Sequence, residues 1–142
     1  MSYHRILVGY DESDAAKRAL ERAARVAKAL GSELIVTSVA PIMINIGRSA
    51  GPGDPTDPPE AHVEELRHAR AYLEGEGIQA EYLPAMGDPA QTIASVAKER
   101  GADLVIVGTH EPSVLGRLFG QSVTESVAHK VHCDVLIVHP GG

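Results

Sequence analysis

Five short apolar runs punctuate the chain, at Arg5–Gly9, Leu34–Val39, Gln79–Leu83, Leu104–Gly108 and Val135–His139. The first, second, fourth and fifth are almost unbroken in Val, Ile and Leu. That pattern belongs to strands covered on both faces of a parallel sheet rather than on one. The third, QAEYL, is more polar and suits an edge. Between the runs the period changes to that of helices. Ala15–Leu30 puts Ala15, Ala19, Ala23, Val26, Ala27 and Leu30 on one face, with Gly31 placed to end it. Glu60–Leu73 carries Val63, Leu66 and Leu73 on a face. Asp88-Pro89 opens a third helix, with Asp as N-cap, Pro at the first helical position and Gln91 in the capping-box place. Ser122 and Glu125 make a capping box for a fourth. Strand alternating with helix predicts βαβ units and a doubly wound, mostly parallel sheet with right-handed crossovers.

Residues 42–59 interrupt this rhythm. Gly47, Gly51, Pro52, Gly53, Pro55, Pro58 and Pro59 exclude a regular element there. The segment reads as a flexible surface insertion; because it leaves the C-terminal end of the second strand, it is also placed to act as a lid. The remainder of residues 1–142 forms one domain, long enough to bury a core without disulfides or metals.

Composition excludes more than it selects. A net charge of −6 argues against a general nucleic-acid binder. The absence of an apolar run of about 18 residues argues against a membrane span, and the N-terminal run is too short for a signal peptide. One cysteine, Cys133, allows no internal disulfide and fits a cytoplasmic setting. It reads as a buried structural thiol. His129 and His132 are three apart, but a helix ending near Lys130 parts them, so no metal site is assigned. No Ser-His-Asp or Cys-His spacing suggests a nucleophile, and no catalytic residue is assigned.

Candidate chemistry gathers where strands run into loops, since ligands of open α/β sheets bind beyond the strand C-termini. Asp11 follows the first strand in GYDES, where a carboxylate can accept hydrogen bonds from a ribose or an adenine amine. Ser13 and Asp14 are available as helix caps, which leaves Asp11 for that role. Gly108 ends the fourth strand and leads through a polar loop to the helix opened by Ser122, whose free N–H groups suit an anion.

These stretches together resemble the universal stress protein family. The resemblance is carried by ILVGYDES and its alanine-rich helix, LIVTSVAP, GDPAQTI, and GADLVIVGTH followed by GRLFGQSVTESVAHKVHCDVLIVHP, and it spans nearly the whole chain outside residues 42–59. It implies a five-stranded parallel sheet of order 3-2-1-4-5 flanked by helices, of the adenine nucleotide alpha hydrolase-like kind. It also implies a role in stress tolerance and a homodimer formed through the last strand, Val135–His139. Some members bind ATP. Their motif runs glycine, two residues, glycine, nine residues, glycine, then Ser or Thr. On this chain Gly108 and Ser122 keep the pattern, while Glu111 and Gln121 replace the second and third glycines.

The implied crevice comprises Gly9, Tyr10, Asp11, Val39 at the adenine position, Val107 and Gly108, then Glu111, Arg117, Gln121, Ser122 and Val123 of the loop. Glu111 sets a negative charge near a polyanion. Two like charges about 4 Å apart repel by roughly 1 kcal/mol in water and roughly 4 kcal/mol in a partly screened pocket. That weakens ATP about tenfold or more unless Glu111 turns outward or holds a Mg²⁺. Arg117 can reach phosphate oxygens or remain solvated. The expectation is a nucleotide-responsive binding protein taking ATP or AMP, with an unidentified protein partner. The alternative is a dimeric interaction protein without ligand; slow hydrolysis lacks a visible base.

Overall fold

The computed structural model describes residues 3–11, 13–40, 59–109 and 124–140, with only the backbone for Val39, Ala40, residues 59–63 and Met86. The elements are β1 (Arg5–Gly9), α1 (Asp14–Leu30), β2 (Glu33–Ala40), α2 (Pro59–Gly75), β3 (Ala80–Met86), α3 (Pro89–Arg100), β4 (Leu104–Gly108), a helix α4 at 124–130, and β5 (Asp134–Val138). All strand pairs are parallel and the order is β3-β2-β1-β4-β5, as the sequence implies. No described helix is long and apolar enough to cross a membrane.

Period-2 alternation sorts the strand residues onto two faces. Ile6, Val8, Leu34, Val36, Leu104 and Ile106 pack under α1 and α2. Leu7, Ile35, Val105 and Val107 pack with Ile93, Val96 and Ala97 of α3 and with Val127 of α4. Ile106 is fully buried, so truncating it to Ala costs about 2–5 kcal/mol.

The helices begin and end on the expected signals. Ser13 Oγ accepts the N–H of Ala16 at 3.1 Å and caps α1; a carboxylate oxygen of Asp88 accepts the N–H of Gln91 at 2.9 Å and caps α3. Gly31 closes α1 at φ 69, a left-handed conformation that glycine adopts without strain. The core face of α1 is broader than the predicted one, whose Ala15, Ala19, Ala23 and Ala27 are all buried. Ala16, Leu20 and Ala24 are buried as well, Val26 lies at the margin, and Leu30, the last residue of α1, is 40% exposed.

Several boundaries differ by a residue or more. β3 continues past Leu83 to Met86, pairing Pro84 with Ser38 and Met86 with Ala40. The open side of an edge strand tolerates the N–H that proline lacks. Pro59 is the first residue of α2, and His139 lies just past β5. Of the insertion, residues 42–58 lie outside the described residues.

At the N-terminal ends of the strands, one carboxylate staples the sheet. Asp103 accepts the N–H groups of His4 (2.9 and 3.1 Å) and Arg5 (3.0 Å). Arg5 in turn donates to Glu33 (2.9 Å) and to the carbonyl of Arg100 (2.7 Å).

Candidate functional site: the parting of β1 and β4

The sheet order reverses between β1 and β4, and there the hydrogen-bonded ladder stops early. β1 stays paired with β2 up to Gly9↔Thr37, but its pairing with β4 ends at Val8↔Ile106. Gly9, Val107 and Gly108 therefore border a gap at the topological switch point, the usual ligand position in doubly wound sheets.

Both strands end in glycine, and packing demands it at Gly108 far more than at Gly9. A Cβ on Gly108 would overlap the carbonyl oxygen of Ala15 and lie 2.7 Å from its carbonyl carbon. A Cβ on Gly9 would meet Cδ1 of Ile93 at 3.2 Å. So α1 presses on one face of the gap and α3 on the other. The sequence reading gave Gly108 to a ligand; the first turn of α1 already requires it.

Asp11 is exposed and does not cap α1. Its Oδ1 accepts the N–H of Ser13 at 2.9 Å, and among the described residues its other oxygen has no partner. The side chain is thus oriented by the turn that leads into α1, close to that helix's positive end. Tyr10 behaves differently. Its ring is 5% exposed and belongs to the α1/α2 core, while its N–H donates to the Thr37 carbonyl at 2.9 Å. Val107 is likewise a core residue, on the α3 side. Val39 is placed by its backbone, paired with Ala85.

The buried polar residues were not singled out in the sequence. Among the described residues these are Thr37, Ser38, Thr109 and Thr124, and all four lie at this end of the sheet. Thr37 donates to the Leu83 carbonyl (2.8 Å) and Ser38 to Glu65 of α2 (2.6 Å). The Thr109 N–H donates to the Val138 carbonyl (3.0 Å), and Thr124 Oγ1 donates to the Gly108 carbonyl (3.3 Å). The available signal was polarity inside apolar strands, TS in LIVTSVA and T after VIVG. Two consequences follow. The Ser38–Glu65 bond joins the elements flanking residues 41–58. The Thr124–Gly108 bond joins residues on either side of segment 110–123. Glu111, Arg117, Gln121, Ser122 and Val123 fall within that segment and lie outside the described residues.

Among the described residues no three His, Cys, Asp or Glu side chains gather as metal ligands. α4 ends at Lys130, ahead of His132. Cys133 is half-buried rather than buried, and desolvation, with the charges of Asp134 and Asp103, raises its thiol pKa.

The chain has clear relatives. Universal stress protein YxiE of Bacillus subtilis is 30% identical over 96% of this chain and 99% of its own length. A crystal structure of a universal stress protein in complex with cAMP superposes with a TM-score of 0.73 at 33% identity, covering 98% of each chain. The universal stress protein from Archaeoglobus fulgidus in complex with dAMP gives 0.69 at 28% identity, covering 97% of this chain and 99% of that one. The family model described as "Universal stress protein family" matches residues 2–139, and with the 3-2-1-4-5 sheet parted at Gly9 and Gly108 the chain belongs to the universal stress protein family.

Proposed function

We propose that this protein is a nucleotide-responsive binding protein that takes an adenosine monophosphate in the gap between β1 and β4. The observation that carries the reading is the early end of the β1–β4 ladder beside Asp11, whose carboxylate is oriented by Ser13 and keeps one oxygen for a ligand donor. The residues fit the nucleoside end of the ligand. Asp11 accepts from a ribose hydroxyl or the adenine amine, and the backbone at Val39 borders the base. Solved relatives in complex with cAMP and dAMP support a monophosphate. Glu111, one negative charge in the loop after β4, favours it over a triphosphate.

Calorimetric titration with AMP, cAMP and Mg·ATP tests this. AMP or cAMP should bind at least about tenfold more tightly than ATP. Submicromolar ATP affinity, or no nucleotide binding at millimolar concentration, overturns it. The second outcome favours a dimeric interaction protein whose gap holds no ligand.

A homodimer formed through β5 is part of the proposal, and β5 itself supports it. Val135, Leu136 and Ile137 are all part-exposed although apolar, and β5 is an edge strand with one open side. Antiparallel pairing with a twofold mate would satisfy that side and close the assembly. In this reading, nucleotide occupancy changes what the dimer presents to a partner protein.

A further inference from the structure

A groove lies on the α3 side of the sheet, outside the nucleotide gap. It has a volume of about 710 Å³ and runs between α3 and the segment joining α4 to β5. Along α3 it extends from Gln91 to Gly101, roughly 15 Å at 1.5 Å per residue. Its floor is small and apolar: Ala94, Ala97 and Ala102, with the half-buried Cys133. Its charged lining is basic, with Lys98 from one wall and Lys130 from the other, where His132 also lies.

That lining is unexpected on a chain of net charge −6. The charges of Asp103 and Asp134 reach the floor at Cys133, but neither carboxylate lines the groove. Asp103 receives the His4 and Arg5 N–H groups, and Asp134 receives the Tyr3 hydroxyl at 2.7 Å. A ligand-sized groove with an apolar floor and cations on both walls is complementary to an anion carried on an apolar body. We propose that this cavity binds a small amphipathic carboxylate, its chain along the alanines of α3 and its head between Lys98 and Lys130. The site shares no residue with the nucleotide gap. The competing explanation is that both lysines serve only the negative helix C-termini beside them.

Cys133 is the protein's one cysteine and lines the cavity, so it reports occupancy. The experiment follows its labelling by N-ethylmaleimide, a neutral reagent, with decanoate, decanol or AMP added, and measures decanoate binding directly by calorimetry. Decanoate should slow labelling several-fold, decanol should do so much less, and AMP should have no effect. Lys98→Glu with Lys130→Glu should weaken decanoate protection on the order of tenfold or more. Ala94→Phe, which fills the groove from a half-buried position, should slow labelling by itself and abolish the decanoate effect. The proposal is overturned if decanoate leaves labelling unchanged. It is equally overturned if decanoate and decanol protect alike irrespective of the two lysines, or if AMP displaces decanoate. Loss of stability in the double variant with unaltered decanoate binding would show that the lysines serve the helix ends only.

Discussion

The carbonyl of Ala15 occupies the space that a side chain on Gly108 would need: its carbon lies 2.7 Å from where a Cβ would stand. The last residue of β4 and the first turn of α1 are in backbone contact, which fixes how closely the helix approaches the gap between β1 and β4. Six of the seven buried residues of α1 are alanine, at 15, 16, 19, 23, 24 and 27, and that small stripe makes the approach possible.

Gly108→Ala should therefore be costly. Backbone cannot step aside as a side-chain tip can, so the loss belongs at the upper end of overpacking, about 3 kcal/mol, or roughly 6–12 °C in Tm for a domain of this size. Gly9→Ala meets only the flexible end of Ile93 at 3.2 Å and should cost less than about 1 kcal/mol. Thermal unfolding of the two variants side by side checks this; equal losses would show that the α1 contact is not special.

Asp11→Ala separates ligand binding from folding. Ser13 remains the N-cap, so stability should change by less than about 1 kcal/mol. AMP affinity should fall by about tenfold or more, the usual scale for a hydrogen bond to a charged group. A variant that binds AMP normally would remove Asp11 from the site.

Asp103 predicts a pH dependence. Burial pushes its carboxyl pKa upward, but the N–H groups of His4 and Arg5 and its own N–H outweigh that and hold it below 3.8. A folded pKa below the unfolded one contributes stability that is present above the unfolded value and lost as pH falls through the folded one. The group is partly exposed, so solvent limits the contribution to about 1 kcal/mol. Asp103→Asn should be less stable than the parent at pH 7, with the gap closing as pH falls below the ordinary carboxylate range and through the lowered pKa of Asp103. Urea midpoints at several pH values measure it; a pH-independent gap would refute the linkage.

The β5 dimer has a clean test. The Val138 carbonyl accepts from Thr109, so Val138 faces β4, and by alternation along the strand the N–H of Ile137 points to the open edge. Ile137→Pro removes an edge donor while sparing the β4–β5 ladder. Light scattering should find a folded monomer. A folded variant that stays dimeric places the interface elsewhere.

Much of the architecture was legible because it depends on local pattern. Unbroken Val/Ile/Leu runs revealed strands covered on both faces. Asp88-Pro89 and Gly31 marked helix ends, and the polar QAEYL run marked β3 as an edge. The strand order came from resemblance, since periodicity carries no information about which strand lies beside which. The limits of pattern show at β3, which runs on through Pro84 because β2 offers a partner as far as Ala40, and at Leu30, which the helical period placed on the core face and which is 40% exposed.

The candidate site divides along the same line. The sequence by itself determined that Gly9, Asp11 and Gly108 follow or end strands, because each is a matter of neighbours along the chain. Only the tertiary structure decided that the β1–β4 ladder parts there, that Gly108 is held to glycine by Ala15, and that the ring of Tyr10 belongs to the core. Only the structure brought Thr124 to Gly108 and Ser38 to Glu65, and set Lys98 and Lys130 across one groove. Each of these joins residues far apart in the chain, and which groups meet is settled by how helices pack on a sheet, a relation no local period encodes.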